Sequence, residues 1–188
     1  MKHSSSLTVS DAHRIHEAIH VVPNFPKSGI IFRDVMPVLG DPALFAAVVA
    51  ALCEPYAEAA VTPVFVGVES RGFIFAAAMA QRLSAGFVPV RKVGKLPGAV
   101  DRVSYALEYG EAALEVKRGA IRQGEPVVVV DDLLATGGTV LAAVELVRRQ
   151  GGRVVGLDFM VELEALEGRS RALQALGHTT SVRALFTY

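Results

Sequence analysis

The segment from Val127 to Thr139 constrains the fold of this chain more than any other stretch of its sequence. It opens with four consecutive valines, a pattern typical of a short strand that is buried on both faces. Asp131 and Asp132 follow, then a turn of small residues, and then apolar residues at helical spacing from Val140 to Gln150. This order of strand, acidic pair, glycine turn and helix predicts an α/β fold with a mainly parallel sheet.

The turn between this strand and this helix has the chemistry of an anion site. The first N–H groups of a helix are unpaired and carry about half a positive charge. Gly137 and Gly138 let an anion approach the main chain, and Thr136 and Thr139 add hydroxyl donors. The acidic pair would repel that anion but suits vicinal hydroxyls or a divalent cation. A ribose 5-phosphate offers both an anionic phosphate and vicinal hydroxyls. The alternative is that this segment is an ordinary strand-to-helix turn capped by a threonine.

Composition narrows the class of protein. The 188 residues are 52% hydrophobic and 20% charged, which predicts one domain over residues 1–188. Lys plus Arg and Asp plus Glu both number 19, so there is no net charge to attract nucleic acid or an anionic membrane. No uncharged apolar run is long enough to cross a bilayer, and the N-terminus lacks a signal-peptide pattern. We expect a cytoplasmic protein with no nucleic-acid or membrane partner, and with its single cysteine, Cys53, in the core.

A second strand-turn-helix unit carries charge in its turn. Val64–Val68 reads as a buried strand, and an apolar helix begins near Phe73. The turn between them contains Glu69, Ser70 and Arg71, and the guanidinium of Arg71 suits an anion.

A third strand, over residues 86–90, leads into a segment broken by glycine and proline that contains Arg91, Lys92 and Lys95. Such a basic stretch is either a solvated surface or, beside a phosphate site, a mobile lid that neutralises pyrophosphate. Alternating residues over 103–116 predict a hairpin that closes the lid.

Two segments near the N-terminus complete the pattern. Residues 7–20 predict an amphipathic helix that starts at Ser10 or Asp11. Its histidines at positions 13, 16 and 20 share one face, and the lack of a cysteine or carboxylate to complete a ligand set favours a solvated face over a metal site. Residues 22–35 contain two prolines and a glycine, which predict an extended, rigid loop that presents main-chain groups.

Four motifs, in order between residues 21 and 172, resemble those of a known family. Val-Asp-Asp-Leu-Leu-Ala-Thr-Gly-Gly-Thr resembles the phosphoribosyl-pyrophosphate motif of the type I phosphoribosyltransferases. Phe-Pro-x-x-Gly-Ile-Ile-Phe-Arg-Asp, Arg-Lys-x-Gly-Lys-Leu-Pro and Leu-Glu-Tyr-Gly are similar to segments of the adenine phosphoribosyltransferases. The resemblance implies an α/β fold with a mainly parallel central sheet, helices on both faces and a flexible β-hairpin lid.

The resemblance also implies an activity and its partners. Adenine and phosphoribosyl pyrophosphate would react to give AMP and pyrophosphate, as in purine salvage. Mg²⁺ would accompany phosphoribosyl pyrophosphate, bound through the pyrophosphate and water with no direct protein ligand. The protein would be a homodimer. Residues 1–20 would form an N-terminal helical extension, residues 21–40 the base-reading loop and residues 91–116 the lid.

Site residues follow from the same resemblance. The catalytic carboxylate would be Glu108, flanked in the lid by Tyr109. Residues implied to hold the ribose and its 5-phosphate are Asp131, Asp132, Ala135, Thr136, Gly137, Gly138 and Thr139. Residues implied to bind pyrophosphate are Glu69, Ser70, Arg71, Arg91, Lys92 and Lys95. Residues implied to bind adenine are Ile31, Phe32, Arg33 and Leu163, the last from a closing helix near residues 162–169.

Three alternatives stay open at this point. The base could be another one, such as a 6-oxopurine. The chain could instead be a non-catalytic regulator that binds phosphoribosyl pyrophosphate only. If the chain is an enzyme, Glu108 could either deprotonate the base or stabilise a cationic sugar.

Overall fold

A computed structural model of the chain describes residues 7–106, 111–177 and 180–188. The helices are α1 (Val9–Ala18), α2 (Met36–Gly40), α3 (Pro42–Cys53), α4 (Gly72–Arg82), α5 (Gly138–Arg149) and α6 (Gly168–Leu176). The strands are β1 (His20–Pro23), β2 (Ile31–Asp34), β3 (Val64–Val68), β4 (Phe87–Lys92), β5 (Val100–Ala106), β6 (Glu111–Lys117), β7 (Pro126–Leu134), β8 (Arg153–Glu162) and β9 (Ser181–Thr187). Short 3₁₀ helices span Glu54–Tyr56 and Glu164–Leu166.

The central sheet has seven strands in the order β5-β6-β4-β3-β7-β8-β9. From β4 to β9 all neighbours are parallel, whereas β6 pairs antiparallel with both β4 and β5. The predicted mainly parallel sheet and the predicted hairpin are therefore confirmed. The hairpin extends the sheet because Arg91 and Lys92 of β4 pair with Glu115 and Leu114 of β6.

Alternation along β7 explains why a run of valines is needed at the centre of the sheet. Val128 and Val130 belong to the core cluster that contains side chains of α1 to α4. Val127 and Val129 belong to the opposite cluster, which contains side chains of α5 and α6. All four are fully buried, so both faces of the strand are covered, as expected for a parallel sheet with helices on both sides.

The N-terminal part differs from the sequence-based expectation in two places. Helix α1 begins at Val9, because the side chain of Thr8 accepts the N–H of Asp11 and caps the first turn. The predicted loop over residues 22–35 is a loop only at residues 24–30, because β1 and β2 on either side of it pair as a two-stranded antiparallel sheet. Helix α2 follows within the predicted base-reading loop. The prolines did not prevent pairing, because Pro23 pairs at the end of this small sheet, where a lost N–H donor costs least.

Residues 162–169 do not form one continuous helix, contrary to the prediction. The chain leaves β8, forms the 3₁₀ helix Glu164–Leu166 and starts α6 only at Gly168. Strand β9 was not predicted, and its Arg183 donates to the fully buried carboxylate of Asp158 at 2.8 and 2.9 Å. Burial raises the pKa of Asp158, and the hydrogen bonds from Arg183 oppose that shift.

Cys53 lies in the core, as predicted, and burial raises the pKa of its thiol to about 11. The thiol therefore stays protonated at neutral pH. Among the described residues, no helix combines the length and the apolar character needed to span a membrane.

Candidate active site

The carboxyl ends of β3 and β7 border a cleft of about 330 Å³. Parallel strands commonly place ligands beyond their carboxyl ends, because the loops that follow them meet there. The residues that line this cleft are Glu69, Ser70, Arg71, Lys92, Asp131, Asp132, Leu133, Leu134, Ala135, Thr136, Gly137, Gly138, Thr139 and Val140. The two charged turns predicted from the sequence therefore face one another across a single space.

The turn at the start of α5 has the backbone expected of an anion site. Gly137 is the N-cap of α5 and has a φ of 85°, in the left-handed region that glycine adopts without a steric penalty. Neighbouring segments fix this turn in place: Arg171 donates to the carbonyl of Thr136 at 3.2 Å. A Cβ at Gly168 would collide with the carbonyl oxygen of Ala135, so α6 can begin against the turn only with glycine there.

The acidic pair lies in the last residues of β7, under the start of α4. The N–H of Asp132 donates to the carboxylate of Asp131 at 2.9 Å. A Cβ at Gly72 would come within 2.8 Å of the Asp131 carboxylate, which shows how tightly α4 covers it even though part of the residue stays exposed. Burial, followed by the charge of Asp132, holds the pKa of Asp131 well above its usual range.

Arg71 is the direct partner of this pair. Its Nε lies 2.7 Å from Oδ2 of Asp132, which is only 5% exposed. Burial raises the pKa of Asp132, and the charge of Arg71 opposes that shift. The guanidinium is partly exposed, so its remaining donors are available to the cleft.

Glu69 organises the basic residues of β4. Its carboxylate accepts hydrogen bonds from Arg91 at 3.1 and 3.3 Å and from the N–H of Lys92 at 2.8 Å. Burial raises the pKa of Glu69, but these hydrogen bonds outweigh it and the pKa is lowered overall. The carboxylate therefore binds cationic residues and would repel an anion. Its predicted role at the pyrophosphate would then be indirect, through the basic residues that it holds.

The structure does not bring every predicted pyrophosphate residue to the cleft. Lys92 lines it, but Arg91 is not part of the lining. Arg91 donates to Glu69 and to the carbonyl of Lys95, the latter at 3.3 Å. Lys95 is exposed and is not part of the lining.

None of the predicted adenine-binding residues lines the cleft, but two of them contact residues that do. Phe32 lies under the guanidinium of Arg71, with 5.4 Å between the guanidinium carbon and the ring centroid. Leu163 donates its N–H to the carbonyl of Leu134, at 2.9 Å, beside the anion turn. Ile31 is exposed, and the guanidinium of Arg33 stacks on a tyrosine outside the cleft.

Three residues make contacts at the lid or at the turn that sequence reasoning missed. Tyr105 of β5 accepts a hydrogen bond from the hydroxyl of Thr139 at 3.4 Å. Glu115 of β6 is buried and accepts from the N–H of Gly94 at 2.9 Å, and also from Arg102. The third is Gly168. Only the alternation of the hairpin could have indicated that Glu115 points inward. The predicted catalytic residue Glu108 and its neighbour Tyr109 lie outside the described residues.

No set of three or more His, Cys, Asp or Glu side chains in residues 7–106, 111–177 and 180–188 is arranged to hold a metal ion. The histidines of α1 have other contacts: His13 lies 3.3 Å from Glu17, and His16 contacts Tyr188.

Comparisons with known proteins agree with this geometry. The family described as "Phosphoribosyl transferase domain" matches residues 39–174. An adenine phosphoribosyltransferase of Sorangium cellulosum is 54% identical over 161 residues, which cover 86% of this chain and 80% of that protein. The crystal structure of the Rhodothermus marinus adenine phosphoribosyltransferase superimposes with a TM-score of 0.87 at 44% identity, over 96% of this chain and 100% of that one.

A third similar structure carries ligands. It is the adenine phosphoribosyltransferase of Saccharomyces cerevisiae in complex with an imino-altritol bisphosphate and adenine, with a TM-score of 0.85 at 40% identity. The alignment covers 95% of this chain and 99% of the yeast chain.

Proposed function

The chain belongs to the adenine phosphoribosyltransferase family, and on this premise we propose that it transfers the 5-phosphoribosyl group of phosphoribosyl pyrophosphate to adenine. The products are AMP and pyrophosphate. The observation that carries the proposal is the presence of an acidic pair, Arg71 and the anion-binding turn of residues 135–139 in one cleft.

The three parts of phosphoribosyl pyrophosphate match three parts of the cleft lining. The carboxyl groups of Asp131 and Asp132 suit the vicinal ribose hydroxyls, to which they offer hydrogen-bond acceptors. The main-chain N–H groups and hydroxyls of residues 135–139 suit the 5-phosphate at the start of α5. Arg71 and Lys92, which line the same cleft, suit the pyrophosphate.

For substitution at the anomeric carbon, the protein mainly has to position the two substrates and does not need to form a covalent intermediate. The C–O bond to pyrophosphate breaks with its electron pair on the leaving oxygen, a C–N bond to adenine forms, and the ring nitrogen loses a proton. The sugar is cation-like between these events, so fixed carboxylates and neutralisation of the leaving group lower the barrier. The resemblance assigns Glu108 to assist the base or the cationic sugar.

Selectivity for adenine would come from the main chain of β2. A carbonyl in the segment Ile31 to Arg33 accepts from the 6-amino group of adenine, but would face the carbonyl of a 6-oxopurine. An unpaired buried polar group of that kind costs about 1–3 kcal/mol. The contacts of Phe32 with Arg71 and of Leu163 with Leu134, both partners being residues of the cleft lining, support a base site beside the cleft.

The donor set fits Mg²⁺ held mainly by substrate. Asp131 and Asp132 are the only adjacent carboxylates of the described lining, and Asp132 is already paired with Arg71. Mg²⁺ keeps several waters and prefers one or two carboxylates plus phosphate oxygens, so the pyrophosphate and water would supply most ligands. When bound, the ion would neutralise charge on the leaving pyrophosphate.

We propose a cytoplasmic homodimer as the working form. Exposed apolar side chains on and beside β1 and β2, including Val21, Phe25 and Met36, are the kind of surface that a second subunit covers. Sedimentation equilibrium would decide the assembly, and a monomeric mass at micromolar concentration would contradict it.

The test of the activity is formation of AMP from adenine and phosphoribosyl pyrophosphate, with and without Mg²⁺. Parallel reactions with hypoxanthine and guanine test the base. A product from hypoxanthine but not adenine would point to a 6-oxopurine enzyme. Binding of phosphoribosyl pyrophosphate without turnover of any base would point to a regulator.

A further inference from the structure

A cluster outside the cleft joins α1, β2 and the residue after β9, and Tyr188 is its centre. The guanidinium carbon of Arg33, on β2, lies 4.0 Å from the centroid of the Tyr188 ring. The ring of His16, on α1, stacks with Tyr188 at a centroid distance of 5.3 Å and an interplanar angle of 12°. The Tyr188 hydroxyl and Nδ1 of His16 are 2.8 Å apart. One aromatic side chain therefore ties the N-terminal helix to β2.

The main chain of Tyr188 makes a second connection. Its N–H donates to the carbonyl of Glu162 and its carbonyl accepts from the N–H of Glu164, both at 2.9 Å. These two bonds bracket Leu163, which in turn donates to the carbonyl of Leu134 at the end of β7. Tyr188 thus contacts both elements that flank the cleft, β2 by its side chain and the Leu163 segment by its backbone.

We propose that Tyr188 is a positioning residue for the purine base. Its ring sets the place of β2 through Arg33, its backbone sets the place of Leu163, and His16 holds the ring. This inference rests on the proposed function, because β2 and Leu163 bind a base only if that function is correct.

Strand β2 needs such a support. In the described part of the chain, β1 and β2 form a sheet of two strands that is separate from the seven-stranded sheet. An isolated pair of strands is marginally stable, so side-chain contacts must fix it relative to the cleft. The contacts observed are Phe32 under Arg71 on one side and Arg33 on Tyr188 on the other.

The chemistry of the cluster suits a fixed contact. Burial raises the pKa of Tyr188, against the charge of Arg33, so the phenol stays protonated at neutral pH and keeps the proton of its hydroxyl beside Nδ1 of His16. A guanidinium over an aromatic face is attracted by the ring. Hydrogen bonds to a base need a narrow range of distances and angles, so a loosened β2 would weaken adenine binding first.

The test compares variants that remove one contact at a time. Tyr188→Leu removes the ring but keeps both backbone bonds, and Tyr188→Phe removes only the hydroxyl. His16→Gln removes the stacked imidazole, and His13→Gln on the same helix, whose side chain contacts Glu17 instead, is its matched control. Each variant is assayed for the KM of adenine and the KM of phosphoribosyl pyrophosphate separately.

For Tyr188→Leu we expect the KM for adenine to rise on the order of five- to thirtyfold with an unchanged KM for phosphoribosyl pyrophosphate. Tyr188→Phe and His16→Gln should raise the KM for adenine by about two- to tenfold, and His13→Gln should leave it unchanged. Hydrogen exchange without substrate should accelerate at residues 20–34 in Tyr188→Leu, and not in β3 or β7.

An equal rise in both KM values, or an unchanged KM for adenine in a folded Tyr188→Leu protein, would overturn the proposal. So would unchanged exchange at residues 20–34. If the wild type forms no AMP from adenine, the proposed function fails instead. The exchange comparison then still decides whether Tyr188 holds β2.

Discussion

Replacing Asp131 with asparagine should stabilise the protein at neutral pH and weaken its binding of phosphoribosyl pyrophosphate. Burial and the adjacent charge of Asp132 raise the pKa of Asp131, so its ionised form is disfavoured in the folded state. The amide keeps an oxygen that can accept the N–H of Asp132, now at 2.9 Å, and it removes the charge. The substitution therefore distinguishes the effect of the carboxylate on the stability of the fold from its effect on the affinity for phosphoribosyl pyrophosphate.

Coulomb's law sets the size of the effect. Two unit charges about 5 Å apart at an effective dielectric constant of about 20 repel by about 3 kcal/mol. Arg71 attracts Asp131 as well and offsets part of that repulsion. We expect the free energy of unfolding to rise by about 1–2 kcal/mol. That gain corresponds to about 2–8 °C in Tm for a domain of this size.

The pH dependence follows from the direction of the shift. Because the folded-state pKa of Asp131 lies above its unfolded value, the folded protein binds more protons than the unfolded chain between those two pKa values. The wild type therefore loses stability relative to Asp131→Asn as pH rises through that window. The difference in Tm should be largest above the folded-state pKa and should shrink as pH falls toward about 4.

The assay is thermal unfolding of both proteins across that pH range, together with titration by phosphoribosyl pyrophosphate. Loss of a charge-assisted hydrogen bond of about 1.5–3 kcal/mol predicts weaker binding by about 10- to 150-fold. Asp158→Asn is the contrasting control, because Asp158 is buried but paired with Arg183. Breaking that pair should destabilise the protein by about 3–5 kcal/mol.

Two results would refute the reasoning about Asp131. One is a lower Tm for Asp131→Asn at neutral pH, which would mean that the carboxylate stabilises the fold. The other is a difference in Tm that grows on acidification. A higher Tm with unchanged affinity for phosphoribosyl pyrophosphate would support the electrostatic argument. It would reject only the assignment of Asp131 to the ribose hydroxyls.

Three further outcomes are expected. Glu108→Ala should lower turnover by about 10²–10⁴-fold, the usual contribution of a general acid or base, with phosphoribosyl pyrophosphate binding intact by calorimetry; near-normal turnover would exclude a catalytic role. Gly168→Ala should weaken phosphate binding because a Cβ there collides with the carbonyl of Ala135, and unchanged affinity would show that the turn can move freely. Residues 91–106 should exchange amide hydrogens more slowly when substrate binds if this part of the lid closes, and equal protection in both states would contradict closure.

The sequence predicted the centre of the fold because the informative signals there are local. Four valines define β7, and the small residues after them define the start of α5. Both charged turns follow parallel strands, so the amino-acid pattern alone was enough to expect them at the same edge of the sheet. The strand is longer than predicted because pairing with β8 continues to Leu134 opposite Glu162, and the acidic pair therefore lies within β7.

The parts that could not be predicted depend on contacts between distant segments. The place of Gly168 against Ala135 joins residues far apart in the chain, and nothing in the local sequence after β8 indicates it. Likewise, His16 was predicted to be one of three solvated histidines, although it contacts Tyr188 at the other end of the described chain. Local periodicity cannot report such pairs.

The charges of the cleft lining explain why the proposed substrate would bind together with a divalent cation. The ionisable side chains of the described lining are the acids Glu69, Asp131 and Asp132 and the bases Arg71 and Lys92. With three acids and two bases, the lining has a formal charge of −1. Even when the acidic pair keeps a proton, as the raised pKa of Asp131 favours, these side chains are neutral in sum. The carboxyl groups proposed to hold the ribose hydroxyls thus offset the bases proposed to bind the pyrophosphate. Mg²⁺ bound with the substrate would restore the positive charge that the leaving group needs.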